Sequence, residues 1–160
     1  MPYVSLPLAN EFLNRASTAG RSLTQMQLQK LVYLSHGWHL AETETALSAE
    51  GFEAWQFGPV NRKLYNALSR YGSRAVSRLI RWGDDTPFMS DDGEDAIEEL
   101  NASGNDVIDL VWDVYGHYPA FKLSALTHKD GTPWSQTFEA GRNNPIPDVL
   151  IREHFRELAV

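Results

Sequence analysis

The residues from Phe52 to Gly72 change hydrophobic period halfway, and no single helix or strand can satisfy both halves. Phe52, Ala54 and Gln56 alternate with Glu53, Trp55 and Phe57, the two-residue period of a short strand rich in aromatics. Gly58-Pro59 breaks that pattern. Val60, Leu64, Ala67, Leu68 and Tyr71 then recur at helical spacing, and Gly72 fits the left-handed position that closes a helix. Pro59 has a fixed φ and no N–H, which suits the first turn of a helix. The pattern predicts a rigid corner: a strand thrown into a helix by one Gly-Pro hinge. Trp55 and Phe57 lie just before the hinge, on one strand face, opposite Ala54 and Gln56.

Helical periods dominate the rest of the chain. Ser5 is the expected cap of a first helix, with Pro7 in its first turn and Leu8, Phe12, Leu13 and Ala16 inward, ending at Gly20. Thr24 and Gln27 are spaced as a capping box, and Leu23 and Leu28 sit where a hydrophobic staple closes over it. Leu28, Leu31, Val32, Ser35 and Trp38 form one face of that second helix. Gly37 inside it costs about 1 kcal/mol relative to alanine, so its presence points to close backbone packing. Residues 43–51 read as a connection and Ala75–Trp82 fits a short helix. Residues 83–95 read as an exposed loop relieved only by Pro87, Phe88 and Met89. Ser103 and Asp106 mark another cap, followed by a stripe of Val107, Leu110, Val111 and Val114 up to Gly116. Pro119 opens a helix through Phe121 and Leu126. Thr127–Trp134 and Gly141–Pro147 read as loops, and Pro147 begins a last helix with Val149, Ile151, Phe155 and Leu158 inward. The expected fold is mostly α: a single compact multi-helix domain over residues 1–160, about seven helices, with a small β element around Phe52–Phe57.

The 160 residues are enough for one sizeable core. No apolar run approaches the length that spans a bilayer, and residues 1–7 lack the pattern of a signal peptide, so cytoplasmic residence is expected. Zero cysteines exclude disulfides, thiolate metal sites and cysteine nucleophiles. A formal charge of −7 argues against broad binding to a phosphate backbone. The charges are nevertheless uneven: Arg62, Lys63, Arg70, Arg74, Arg78 and Arg81 form a basic segment, and Asp84–Glu99 is acidic.

Three constellations invite chemical readings and none carries one far. Asp91-Asp92-Gly93-Glu94-Asp95 lacks the alternate oxygen ligands that a calcium loop places before its glycine. His36, His39 and Glu42 share a helix face, but a zinc site needs further ligands and a supporting shell; the better reading has His39 donating to a core carbonyl. Ser124, His128 and Asp130 have the residue types of a hydrolase triad, without the glycine-flanked elbow that would expose the serine. His128 reads instead as a cap on helix-end carbonyls, and Asp130-Gly131 as a turn. No cofactor is expected, and no enzymatic activity.

Leu28–Leu40, LQKLVYLSHGWHL, resembles the characteristic helix of the Panacea antitoxin domain family, also called SocA-like. Glu53–Val60, EAWQFGPV, is similar to that family's EAWKYGPV signature. Val111–Gly116, Leu123–His128 with Pro133-Trp134, and the closing Ile151–Phe155 follow its remaining motifs in order, so the resemblance covers nearly the whole chain. His36 stands where the family usually has glutamine. The resemblance implies a mostly helical domain that binds and neutralises a protein toxin encoded by an adjacent gene, without naming that toxin. A contact with a protease or chaperone stays open, and neither a membrane nor a nucleic acid is the expected partner.

The expected contact surface joins the strand–hinge unit to the Thr127–Trp134 loop. The hinge contributes Trp55, Phe57, Gly58 and Pro59, followed by Arg62 and Lys63; the loop contributes His128 and Trp134. Motif aromatics in a small domain also pack as core, so Trp38, Trp55, Phe57 and Trp134 carry both readings. A nucleic-acid-binding regulator using the basic segment is the alternative, and a small hydrolase a more distant one.

Overall fold

A computed structural model describes residues 1–86 and 93–160. Pro87, Phe88, Met89, Asp91 and Asp92, and with them the calcium argument, lie outside the described residues. Among those residues are seven α-helices: α1 (Ser5–Thr18), α2 (Gln25–Thr43), α3 (Arg62–Leu68), α4 (Ala102–Tyr115), α5 (Ala120–His128), α6 (Pro133–Thr137) and α7 (Asp148–Leu158). Three strands, β1 (Phe52–Trp55), β2 (Gly58–Val60) and β3 (Asn144–Ile146), form one antiparallel sheet in the order β2-β1-β3. The mostly α expectation with a small β element holds.

The central element is α2. Its 19 residues span about 28 Å and are covered by α1, α3, α4, α5, α7 and β2. Burial extends around the whole helix rather than along one face, from Leu28 to Gly37 without a break. The capping box forms as its spacing predicts: Gln27 N–H donates to Thr24 Oγ1 at 3.3 Å, and Thr24 N–H donates to Gln27 Oε1 at 2.9 Å. Leu23 and Leu28, the staple pair, are both fully buried. Gly37 lies against α7, where Phe155 fills the space beside it.

The corner at Gly58-Pro59 is a hairpin rather than a hinge. The chain reverses at Gln56-Phe57, and β2 returns along β1 with Ala54 opposite Pro59 and Trp55 opposite Gly58. Pro59 is therefore a strand residue. Because β2 is an edge strand, the missing N–H of Pro59 falls on the unpaired side. The turn residues keep negative φ, so the positive φ that a tight hairpin requires falls on Gly58, at +121°. Helix α3 starts later, capped by Asn61, whose Oδ1 accepts from Leu64 N–H at 3.0 Å. Trp55 and Phe57 do not share a strand face, since Phe57 is in the turn.

Other expectations are corrected by long-range packing. Val4, not Ser5, precedes α1, with no side-chain cap, and Asn101 caps α4 in place of Ser103. The inward residues of α4 are Val107, Ile108 and Val111, leaving Leu110 and Val114 exposed. In α7 only Ile151 and Phe155 are buried; Val149 and Leu158 are exposed. Half of the Thr127–Trp134 segment is helical, and the Gly141–Pro147 loop contains β3. Ala75–Trp82 is irregular rather than helical, pinned by the fully buried Asn10. The Asn10 amide donates to Ile80 O at 2.8 Å and Ala96 O at 3.0 Å, and its oxygen accepts from Ile80 N–H at 2.8 Å.

Candidate functional site

The hairpin is tied down from one side by α5 and α6. Ser124 Oγ donates to Phe57 O at 2.9 Å, and the Trp134 indole N–H donates to Trp55 O. Trp134 stacks on Phe138 at 4.6 Å and meets the edge of His128 at 5.2 Å. The His128 Nδ1–H turns back onto Ser124 O, the expected helix-end cap. With its hydroxyl committed to the hairpin carbonyl and no elbow around it, Ser124 is a latch.

The other side of the hairpin is an aromatic and charged rung. Trp55 packs on Tyr65 at 4.7 Å, and the Arg62 guanidinium lies 5.3 Å from the Trp55 ring. Glu53 Oε1 accepts from Trp55 Nε1 at 3.1 Å and from Arg62 Nη2 at 2.7 Å. Burial works to raise the Glu53 carboxyl, but the bonds from Arg62 and Trp55 outweigh it and hold it below the ordinary carboxylate range. Lys63 turns away from this group to Asp85, 2.8 Å distant.

The structure thus gathers Trp55, Phe57, Gly58, Pro59, Arg62, His128 and Trp134 around one hairpin and leaves Lys63 apart. Their exposures differ. Gly58 and Pro59 are buried, Trp55, His128 and Trp134 are half-buried, and Phe57 is 61% exposed at the tip. Gly58 and Pro59 therefore shape the site from beneath, while Phe57 presents it. Phe121, one helical turn before the latch serine, is 77% exposed.

Between the hairpin and the first half of α2 lies a cavity of about 480 Å³, lined in part by Met26, Trp55, Phe57, Val60 and Tyr65, with Lys30 beneath it. That volume is in the range of ligand-binding clefts. Lys30 is fully buried, and its Nζ donates to Pro59 O at 2.9 Å. Among the described residues no carboxylate pairs with it. Burial pushes its amine down from the ordinary 10.5 to about 7. Gly58 is what leaves room for this side chain: a Cβ there would lie 3.0 Å from Lys30 Nζ. Lys30 and Tyr65 carry no site reading from the sequence, and Ser124 carries only that of a triad pattern, not of a latch. A signal for Lys30 was present, because apolar residues surround it on every helical face from Leu28 to Leu34.

The remaining candidates resolve into structural roles. His36 is fully buried; its Nδ1 accepts from Ser48 N–H at 3.2 Å, so Nε2 carries the proton and donates to Asp148 at 2.9 Å. His39 bonds to Thr45 O at 2.8 Å and Ser103 Oγ at 3.1 Å, so its ring does meet a carbonyl, but that of an exposed residue just past the end of α2 rather than one in the core. Both nitrogens of both rings are engaged, and among the described residues no group of three His, Asp or Glu side chains could hold a metal. The basic segment is largely neutralised within the chain. Arg62 pairs with Glu53, Lys63 with Asp85, Arg70 and Arg78 with Asp84, and Arg81 with Asp95. Among the described residues no helix is long and apolar enough to cross a membrane.

No solved structure matches the chain. It is similar to antitoxin SocA of Caulobacter vibrioides (strain NA1000 / CB15N), 29% identical over 162 residues that cover 93% of this chain and 80% of that protein. The family model described as "Antitoxin SocA-like, Panacea domain" matches residues 28–135, from the buried stretch of α2 through the hairpin to α6, and the chain belongs to that family.

Proposed function

We propose that this protein is the antitoxin of a type II toxin–antitoxin pair and neutralises a protein toxin, encoded by an adjacent gene, by forming a direct complex with it. The observation that carries the reading is the family match, which spans the elements that build the hairpin surface. Exposed Phe57 and Phe121 on rigidly latched backbone support a protein partner, since aromatic anchors in fixed positions dominate interface energies. The ion pairs that occupy the basic segment weigh against the nucleic-acid alternative, because each paired cation has less to offer a phosphate. The protein acts by binding, with no reaction of its own, in the cytoplasm where its toxin is made.

The test is co-expression. The adjacent gene product alone should arrest growth, and this protein should relieve the arrest and co-purify with it. A harmless neighbour, or relief without a complex, would overturn the proposal.

A further inference from the structure

The Lys30 side chain presents a charge that this chain does not complement. An ammonium has three donors and one positive charge; here one donor meets the Pro59 carbonyl, and among the described residues no carboxylate reaches it. Burying such a charge is costly, and the cost falls when an anion is brought close in the same low-dielectric surroundings. The elements around Lys30 supply none. On the hairpin, Glu53 is committed to Arg62 and Trp55. On α3 the nearest titratable group lining the cavity is the Tyr65 phenol, and on α2 the neighbours are the neutral Gln25, Met26 and Gln29. On α5, His128 is turned back on Ser124 O. The cavity surface is mostly apolar and aromatic, its polar lining besides the lysine and Tyr65 being the uncharged Gln25, Gln29, Gln56 and Ser73, and it includes the exposed Phe57.

We propose that this cavity is where the toxin docks, and that it takes an apolar side chain of the toxin carried beside a carboxylate, the carboxylate lying closest to the Lys30 amine. This rests on the antitoxin reading above and specifies the chemistry of the partner. Lys30 lines the cavity yet has no solvent-exposed surface, so the attraction acts through low-dielectric surroundings, where it is screened less than in open solvent. An anion held there favours the charged amine, so complex formation takes up protons onto Lys30 near neutral pH.

The test uses the complex with the adjacent gene's product. With lysine side chains carbon-13 labelled, Lys30 is titrated by NMR in the free protein and in the complex. The midpoint should rise by about one pH unit on binding, from about 7, which corresponds to roughly fivefold tighter association at about pH 6 than at about pH 8 from this group. Lys30→Met keeps the length and apolar stem and should remove that component of the pH dependence, leaving only what the toxin's own groups contribute. A midpoint that stays or falls in the complex, or equal pH dependence in wild type and Lys30→Met, overturns the docking proposal while leaving the antitoxin function standing. If no complex forms at all, the antitoxin reading fails first and the proposal falls with it.

Discussion

The ring of Phe155 occupies the space that a side chain at position 37 would need: a Cβ built on Gly37 lies 2.2 Å from Phe155 Cε2. Two of the most closely packed elements, α2 and α7, meet through this contact, and Phe155 also meets Tyr33 and Trp38 edge-on at 6.0 and 5.1 Å. Gly37→Ala gains up to about 1 kcal/mol of helix propensity. It should nonetheless lose about 2–4 kcal/mol net, because the ring cannot withdraw from a filled core. Denaturant titration measures this. Phe155→Leu in the Gly37→Ala background should recover part of the loss, and strict additivity of the two changes would contradict the contact.

The hairpin separates its two central residues energetically. Gly58→Val places a branched side chain at φ +121° and within reach of Lys30 Nζ, and should cost several kcal/mol, on the order of 3 or more. Pro59→Ala keeps the strand, adds an N–H on the unpaired edge, and should cost less than about 1 kcal/mol. Thermal melts of the two variants decide it: equal melting temperatures would mean that Gly58 does not need its positive φ.

Local signals were legible, and long-range ones were not. The capping box at Thr24 could be read because it is set within one helical turn, and Gly37 could be read as a packing position from its helix cost alone, though its partner Phe155 on α7 could not. The hairpin was misread as a hinge because Gln56-Phe57 lacks the Asn-Gly or Asp-Gly signature of a tight turn, and Gly58-Pro59 resembles a helix start. β3 escaped because three residues with Pro145 at their centre carry no strand period; only the sheet edge beside β1 makes them a strand. Asn10 is a polar residue on a helix, and its hold on Ile80 and Ala96 depends on chain 70 and 86 residues away. At the site the sequence marks most of the aromatics near the hairpin, whereas the burial of Lys30 beneath them is signalled only by the apolar residues that flank it in α2.

Lys30 should leave a signature in the pH dependence of folding. Between about 7 and the ordinary 10.5 the unfolded chain holds the Lys30 proton more tightly than the folded one, so raising the pH through this window favours folding. The slope from this group should approach about 1.4 kcal/mol per pH unit at its steepest. Above pH 10 the buried Tyr33 phenol, pushed upward by desolvation, opposes the trend, because the unfolded chain then loses its proton first. Urea titrations of wild type and Lys30→Met from pH 6.5 to 9.5 isolate the lysine: the difference between the two proteins should be largest at the acid end and shrink as the pH rises. A constant difference would mean that Lys30 keeps an ordinary amine in the fold.

Two aromatic variants separate the hairpin as a fold element from the hairpin as a surface. Trp134→Phe removes the N–H that donates to Trp55 O while keeping a ring to stack on Phe138 and His128. The Trp55 carbonyl is left without that partner, so stability should fall by about 1–2 kcal/mol. Phe57 is in the turn, and its ring is mostly in solvent, so Phe57→Ala should change stability by less than about 0.5 kcal/mol. At the toxin interface the ranking should reverse. An exposed aromatic at the rim of an apolar cavity is the kind of anchor whose truncation costs about 2 kcal/mol or more of binding, roughly thirtyfold in affinity. Trp134→Phe should weaken binding only to the extent that it loosens the hairpin. Melting temperature and toxin affinity measured on the same two proteins give the answer, and a Phe57→Ala variant that binds and rescues as well as wild type would move the contact surface away from the hairpin tip.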